Sequence, residues 1–285
     1  MARPGLSPPE RFRPDAAFPE VVPAGSSGLF ELQESNRWRV GVASVPGKAV
    51  LAQAVQRIYQ DLLLAAEGMH LCRIWNFIPD INGRTDSGLE RYQAFSKARS
   101  LEFEARFGPD FRRRLPAASA VGAGSDNVVV WFVAASREAT HVENPRQVPA
   151  YDYPPEYGPR PPSFSRATRV SFDGETDIFV SGTSAVVGSD TVAPNDTRAQ
   201  LECTLENLAA VSGACGLGPN LGGGRAAFRQ FSVYLRRPED KSWILPALEG
   251  RLFGTGDLVS VAKADICRAE LNIEIEVTLR GVRAG

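Results

Sequence analysis

Apolar residues recur at three- and four-residue spacing over residues 47–67, where Val55, Ile58, Tyr59, Leu62 and Leu63 share one face. That period predicts an amphipathic helix. The run LCRIWNFIP (71–79) predicts a strand, residues 88–107 a second helix, and NVVVWFVAA (127–135) a second strand. The later part of the chain opens with the strand DIFVSGTSAVV (177–187). A helix over 196–212 follows, with Leu201, Leu205 and Leu208 on its buried stripe. The strand RQFSVYLRR (229–237), a helix over 239–253 and the strand ELNIEIEVTLR (270–280) complete it. Both halves thus share the order helix, strand, helix, strand at similar spacing, which points to a structural duplication. Alternating elements of this kind predict helices packed on one or both faces of a mixed sheet.

Two segments fall outside the pattern. The N-terminal stretch, rich in Pro, Ala and Gly, predicts a loose arm over residues 1–30. The segment PRQVPAYDYPPEYGPRPP (145–162) carries seven prolines, which remove backbone donors, fix φ and favour a rigid extended connector. Three tyrosines within residues 151–157 give it apolar area and hydroxyls, so a passive linker and a binding role both remain open. The organisation expected is therefore an arm (1–30), a first half (31–150), a connector (151–170) and a second half (171–285).

Composition narrows the chemistry. The 285 residues are 43% hydrophobic and 23% charged, with 32 basic and 33 acidic side chains, so no electrostatic footprint for nucleic acid or an anionic membrane arises. No stretch approaches the roughly 20 apolar residues that span a bilayer. The N-terminal MARPGLSPPERFRPD lacks the apolar core of a signal peptide, which makes a cytoplasmic location the expectation. Four scattered cysteines without C-x-x-C spacing argue against a zinc site or disulfide framework, and two histidines are few for an imidazole metal centre. A reactive site would rest on carboxylates, arginines and tyrosines, with no metal or cofactor. The glycine run NLGGGR (220–225) follows no predicted strand and lacks the Lys-Ser/Thr of a P-loop, so it reads as a loop.

The segments FVSGTSAVV, DTRAQLECTLENLAAV, FSVYLRR and CRAELNIEIEV resemble the RidA/YjgF family, small trimers that bind carboxylates between subunits. In the first half RIWNFIPDIN (73–82), GLERYQAFSKAR (88–99) and LPAASAVG (115–122), together with YGPRPPSFSRA (157–167), resemble the chorismatases. That resemblance implies an α+β fold of two fused RidA/YjgF-like (chorismate-mutase-like) repeats, with mixed sheets covered by helices. It implies an enzyme that releases pyruvate from chorismate and, in the subgroup resembled here, makes 3-hydroxybenzoate. The hydrolytic subgroup, which gives a dihydroxy-cyclohexadiene carboxylate, is the near alternative. A RidA-like imine deaminase or a carboxylate-binding protein is the alternative of another class. The partner implied is the small molecule chorismate, bound by a monomer or low-order oligomer.

Chorismate carries two carboxylates, which call for arginine forks and tyrosine hydroxyls. Pyruvate release needs a general acid that protonates the enolpyruvyl methylene. The resulting oxocarbenium ion is then captured by water or by another oxygen of the substrate. Glu274 matches the first glutamate of the family's terminal E-I-E and is the candidate acid. Alternation places Asn272, Glu274, Glu276 and Thr278 on one strand face, and pattern alone reads that face, Glu276 included, as solvated. Cys267, by the resemblance, shapes the pocket and excludes water rather than acting as a nucleophile. Positions 267 and 274 have opposite parity, so both reach one pocket only if the strand is broken between them. For the carboxylates, Arg99 shares a helical face with Tyr92 and Phe95, and Arg166 lies in SFSRA. Arg99 could instead snorkel to solvent or pair with Glu102 or Glu104. Tyr157 is expected to cap the site, Phe164 to stack on the ring, and Gly182, Thr183 and Ser184 to present backbone N–H groups.

Overall fold

The computed structural model describes residues 6–7 and 14–283. Its first half runs β1 (Leu6–Ser7), β2 (Val22–Ser27), β3 (Phe30–Glu34), β4 (Trp38–Pro46), α1 (Leu51–Ala65), β5 (His70–Pro79), α2 (Arg91–Phe107), β6 (Ala117–Ala123) and β7 (Asn127–Ala135). The remainder runs β8 (Thr140–Val142), β9 (Ala167–Phe172), β10 (Glu175–Thr183), β11 (Val186–Val187), β12 (Asp190–Thr191), α3 (Thr197–Ala214), β13 (Phe228–Leu235), α4 (Lys241–Leu248), β14 (Leu258–Lys263) and β15 (Ile273–Arg283).

The duplication appears in the strand order. One sheet is ordered β2-β3-β4-β7-β5-β6 and the other β8-β9-β10-β15-β13-β14-β1. The run β3-β4-β7-β5-β6 therefore repeats as β9-β10-β15-β13-β14. In each repeat one pair is parallel, β5 with β6 and β13 with β14, and the other pairs are antiparallel. The fold is α+β with two fused repeats. The halves also exchange edges: β8 pairs with β9 of the second sheet, and β1 lies parallel to β14.

Alternation along the strands builds four layers. Val55, Ile58 and Leu62 of α1 and Phe95 and Phe103 of α2 pack on Ile74, Ile78, Val130 and Phe132, the outer face of the first sheet. Leu201 and Leu208 of α3 and Ile244 and Leu245 of α4 cover Ile273, Ile275 and Val277 of β15. The inner sheet faces meet across a third core holding Trp75, Val133, Phe179 and Tyr234. A central strand of such a stack is buried on both faces, which is why β5 is mostly apolar and its Arg73 and Asn76 are buried as well.

Several boundaries differ from the sequence expectation; the strand expected over 177–187 ends at Thr183, and β9 begins at Ala167, inside the expected connector. Residues 14–30, expected within a loose arm, carry a 3-10 turn (Pro14–Ala17) and β2, and Phe18 packs edge-on to Trp38 (5.1 Å) and stacked on Phe179 (6.1 Å). Residues 1–5 and 8–13 of that arm lie outside the described residues. The helix expected over 239–253 stops at Leu248, and Gly250 turns the chain back at φ +77°. The last strand starts at Ile273 rather than residue 270, because residues 267–270 form a bend and turn. No helix among the described residues is long and apolar enough to cross a membrane.

Candidate active site

A cavity of about 390 Å³ opens where the two sheets meet the connector, within the size range of small-molecule sites. Its walls come from both halves. Tyr92 and Arg99 project from α2, Ala118 and Ser119 from β6, Tyr157, Phe164 and Arg166 from the connector, Gly182 and Ser184 from the end of β10, and Cys267 and Glu274 from the C-terminal segment. Thr183 does not line it, and its hydroxyl donates to the Ser181 carbonyl. Gly182 and Thr183 belong to β10 itself rather than to a turn after it, and the Ser184 hydroxyl is committed to the Ile273 carbonyl.

Glu274 is buried, 3% exposed, and its Oε1 accepts no hydrogen bond among the described residues. Burial, reinforced by the neighbouring Glu276, raises its pKa from 4.5 to about 8, against the opposing influence of Arg73 and Arg166. At neutral pH this carboxyl holds its proton. Gly182 makes room for it: a Cβ at that position would stand 2.0 Å from Glu274 Oε1. Any larger residue there would displace the Glu274 carboxyl.

Glu276, two residues on and on the same strand face, is not solvated as the pattern suggested but equally buried. Arg73 Nη2 and Ser119 Oγ donate to its Oε2, and Trp75 Nε1 and Tyr234 OH each donate to its Oε1 at 2.9 Å. It is saturated with donors, while Glu274 beside it has none. The two carboxyls of one motif thus have opposite surroundings.

The strand break that Cys267 requires is present. The chain bends and turns over residues 267–270 before β15 begins, and Cys267 and Glu274 line one cavity. Burial and the nearby Glu274 push the Cys267 thiol up to about 12, so the thiol at the cavity wall stays protonated near neutral pH. Two polar side chains of α3 hold the surrounding backbone. Gln200 Nε2 donates to the Glu270 carbonyl (2.7 Å) and its Oε1 accepts from Asn272 N (2.7 Å). Asn207 Nδ2 donates to the carbonyls of Ser184 and Val186 (2.9 and 2.8 Å). These two residues belong to the segment DTRAQLECTLENLAAV that carries the RidA/YjgF resemblance, and their hydrogen bonds give that likeness a physical reason.

Arg99 is 2% exposed and pairs with neither Glu102 nor Glu104; Glu104 is bound by Arg160. Its guanidinium lies 5.3 Å from the Tyr59 ring centroid, with Phe103 at 5.6 Å and Phe95 at 6.0 Å, and its Nε and Nη2 have no hydrogen-bond partner. Burial lowers its pKa from 12.5. Arg166 donates to Tyr153 OH (2.8 Å) and to the Val148 carbonyl (3.1 Å), keeps Nε unpartnered and stacks over Phe164 at 5.0 Å. Tyr157 donates to Asp190 (2.9 Å), which tethers the connector over the opening. Burial pushes the Tyr92 hydroxyl well above 10, so it stays a neutral donor. A buried proton donor flanked by cations without carboxylate partners can bind an anion and protonate it.

The first-half model of the FkbO/Hyg5-like chorismatases matches residues 18–134. A chorismatase of Streptomyces rapamycinicus is 38% identical over 245 residues, covering 83% of this chain and 72% of the relative. A 3-hydroxybenzoate synthase of Streptomyces hygroscopicus is 38% identical over 213 residues, 72% of this chain and 62% of the relative. The chain belongs to the chorismatase family. A crystal structure of chorismatase superposes with a TM-score of 0.80 at 29% identity, covering 90% of this chain and 80% of the other.

For this chorismatase-family chain the sequence reading omitted several members of the site. Arg268 lines the cavity and stacks over Tyr157 at 4.2 Å, but it lies in the break before β15, where no periodicity marks it. Ser119 lies in the small-residue strand β6, whose composition carries no chemical signal. Tyr153 reaches Arg166, and the tyrosine content of the connector was its one visible sign.

Proposed function

We propose that the protein converts chorismate to 3-hydroxybenzoate and pyruvate. The observation that carries this reading is the buried, hydrogen-bond-free carboxyl of Glu274 in a cavity whose arginines lack carboxylate partners. Arg99 and Arg166 hold the two carboxylates, with Tyr92 as a hydroxyl donor, Tyr157 capping the opening and Phe164 against the ring. Protonated Glu274 delivers its proton to the enolpyruvyl methylene, leaving an oxocarbenium ion and a carboxylate at residue 274. The ring hydroxyl oxygen then attacks, in place of water, the adjacent ring carbon that carries the ether. The bond from that carbon to the ether oxygen breaks, and its electrons complete the carbonyl of pyruvate. Return of one ring C–H proton to the Glu274 carboxylate gives the aromatic acid. The names of the relatives support both the substrate and the aromatic product: two are chorismatases and one is a 3-hydroxybenzoate synthase.

Cys267 supports the product assignment as an unionised wall beside Glu274 whose thiol is a poor hydrogen-bond partner for a hydrolytic water. Cys267→Ala is expected to shift product from 3-hydroxybenzoate toward the dihydroxy-cyclohexadiene carboxylate, with pyruvate release retained. Chromatography of the acids formed from chorismate reads this, and an unchanged product ratio removes the role given to Cys267. Gly182→Ala forces Glu274 from its place and is expected to lower the rate of pyruvate release by about 100-fold or more, for a stability loss of about 1–3 kcal/mol. Turnover and thermal unfolding measured together test it; full activity would show that Glu274 works from another position.

The size of the cavity and its arginine-lined walls support a small-molecule anion as substrate. The near-balanced charge argues against nucleic acid or an anionic membrane surface as a partner.

A further inference from the structure

Arg73 of β5 and Glu276 of β15 come from different halves, 203 residues apart, and meet between the two sheets with exposures of 1% and 3%. A buried pair of this kind gives little net stability, because desolvation offsets the attraction. Its consequence for its neighbours is larger. In the β13–β15 ladder Glu276 lies opposite Ser232 and Glu274 opposite Tyr234, and Glu276 takes donors from Arg73, Trp75, Ser119 and Tyr234. Arg73 spends Nη2 on Ser119 and Glu276, lies over the Trp75 ring at 4.8 Å, and keeps Nη1 without a partner. Glu274, two residues along on the same face, has an oxygen without a partner as well. One buried cation therefore stands beside two buried carboxyls, and it is committed to one of them.

We propose that Glu276 is a positioning residue for Glu274: by engaging Arg73 and the donors around it, it keeps the Glu274 carboxyl free of ion pairing and available as a proton donor. The inference rests on the reading of Glu274 as the acid. The other groups facing Glu274 are Tyr92, Cys267 and Arg166 on the cavity side and Tyr234 on β13. Among the cations, Arg73 has the larger influence on Glu274. Without Glu276, Arg73 turns to the remaining carboxylate, and the like charge opposing ionisation disappears at the same time. Both changes favour ionised Glu274.

The test is the titration of the Glu274 carboxyl itself, followed by carbon-13 NMR of glutamate-labelled protein and assigned by the signal lost in Glu274→Gln. Glu276→Gln is expected to move that titration down by more than one pH unit. Arg73→Gln, which leaves Glu276 with three donors but no cation, is expected to move it up. A role confined to stability predicts no such opposed pair. An unchanged titration, or shifts of the same direction in both variants, overturns the proposal. If Glu276→Gln does not fold, Arg73→Gln decides alone: an upward shift supports the proposal, and no shift or a downward one overturns it. The measurement uses no substrate, so its outcome is independent of whether Glu274→Gln retains turnover.

Discussion

Glu274→Gln is expected to lower pyruvate release from chorismate by roughly 100- to 10,000-fold, the range that a positioned general acid contributes. Glutamine keeps the volume and the strand position but carries no transferable proton. The pH profile strengthens the case. With a pKa of about 8, wild-type Glu274 is protonated through neutrality, so kcat/KM should be level up to that region and fall above it. The residual activity of Glu274→Gln should lack that fall. Stability has a matching sign. The folded pKa lies above the unfolded value of 4.5, so the fold favours the protonated carboxyl. That contribution is complete below about 4.5, declines as pH rises and is gone above about 8, and the decline should be smaller in the variant. A variant with wild-type turnover and an unaltered profile would exclude Glu274 as the donor.

Arg99→Met is expected to separate activity from stability. The guanidinium sits among Tyr59, Phe95 and Phe103 without an anionic partner, so the empty fold bears the cost of a buried cation. Methionine matches the apolar surroundings, and the variant should unfold at the wild-type temperature or above it. Its substrate carboxylate would then lie buried without its fork, a loss of roughly 2–5 kcal/mol, or about 30- to several-thousand-fold in kcat/KM. Thermal unfolding and steady-state kinetics on one preparation test both halves of the statement. A destabilised variant with unchanged kcat/KM would make Arg99 a structural residue only.

Periodicity carried the fold where burial is one-sided or complete over a long run. Val55, Ile58, Tyr59, Leu62 and Leu63 all lie on the buried face of α1, and β7 occupies the expected residues 127–135. It failed where strands are short or built of small residues, as in β2 (VPAGSS) and β6 (AASAVGA). Alternation also says which residues share a face but not what covers that face. Glu274 and Glu276 were correctly placed together, yet the first sheet that buries them, and Arg73 within it, left no local trace. Glu274 itself emerged through family resemblance, since an isolated E-I-E on a strand reads as surface. Arg99 stood out through its spacing from Tyr92 and Phe95, because a helical period does bring such residues to one wall.

The most direct measurement of the central claim is proton NMR of chorismate incubated with the purified protein, with pyruvate followed in the same sample. The account predicts one pyruvate per chorismate consumed and the aromatic signals of 3-hydroxybenzoate. Unconsumed chorismate would contradict the function, and pyruvate accompanied by a non-aromatic diene acid would contradict the intramolecular attack.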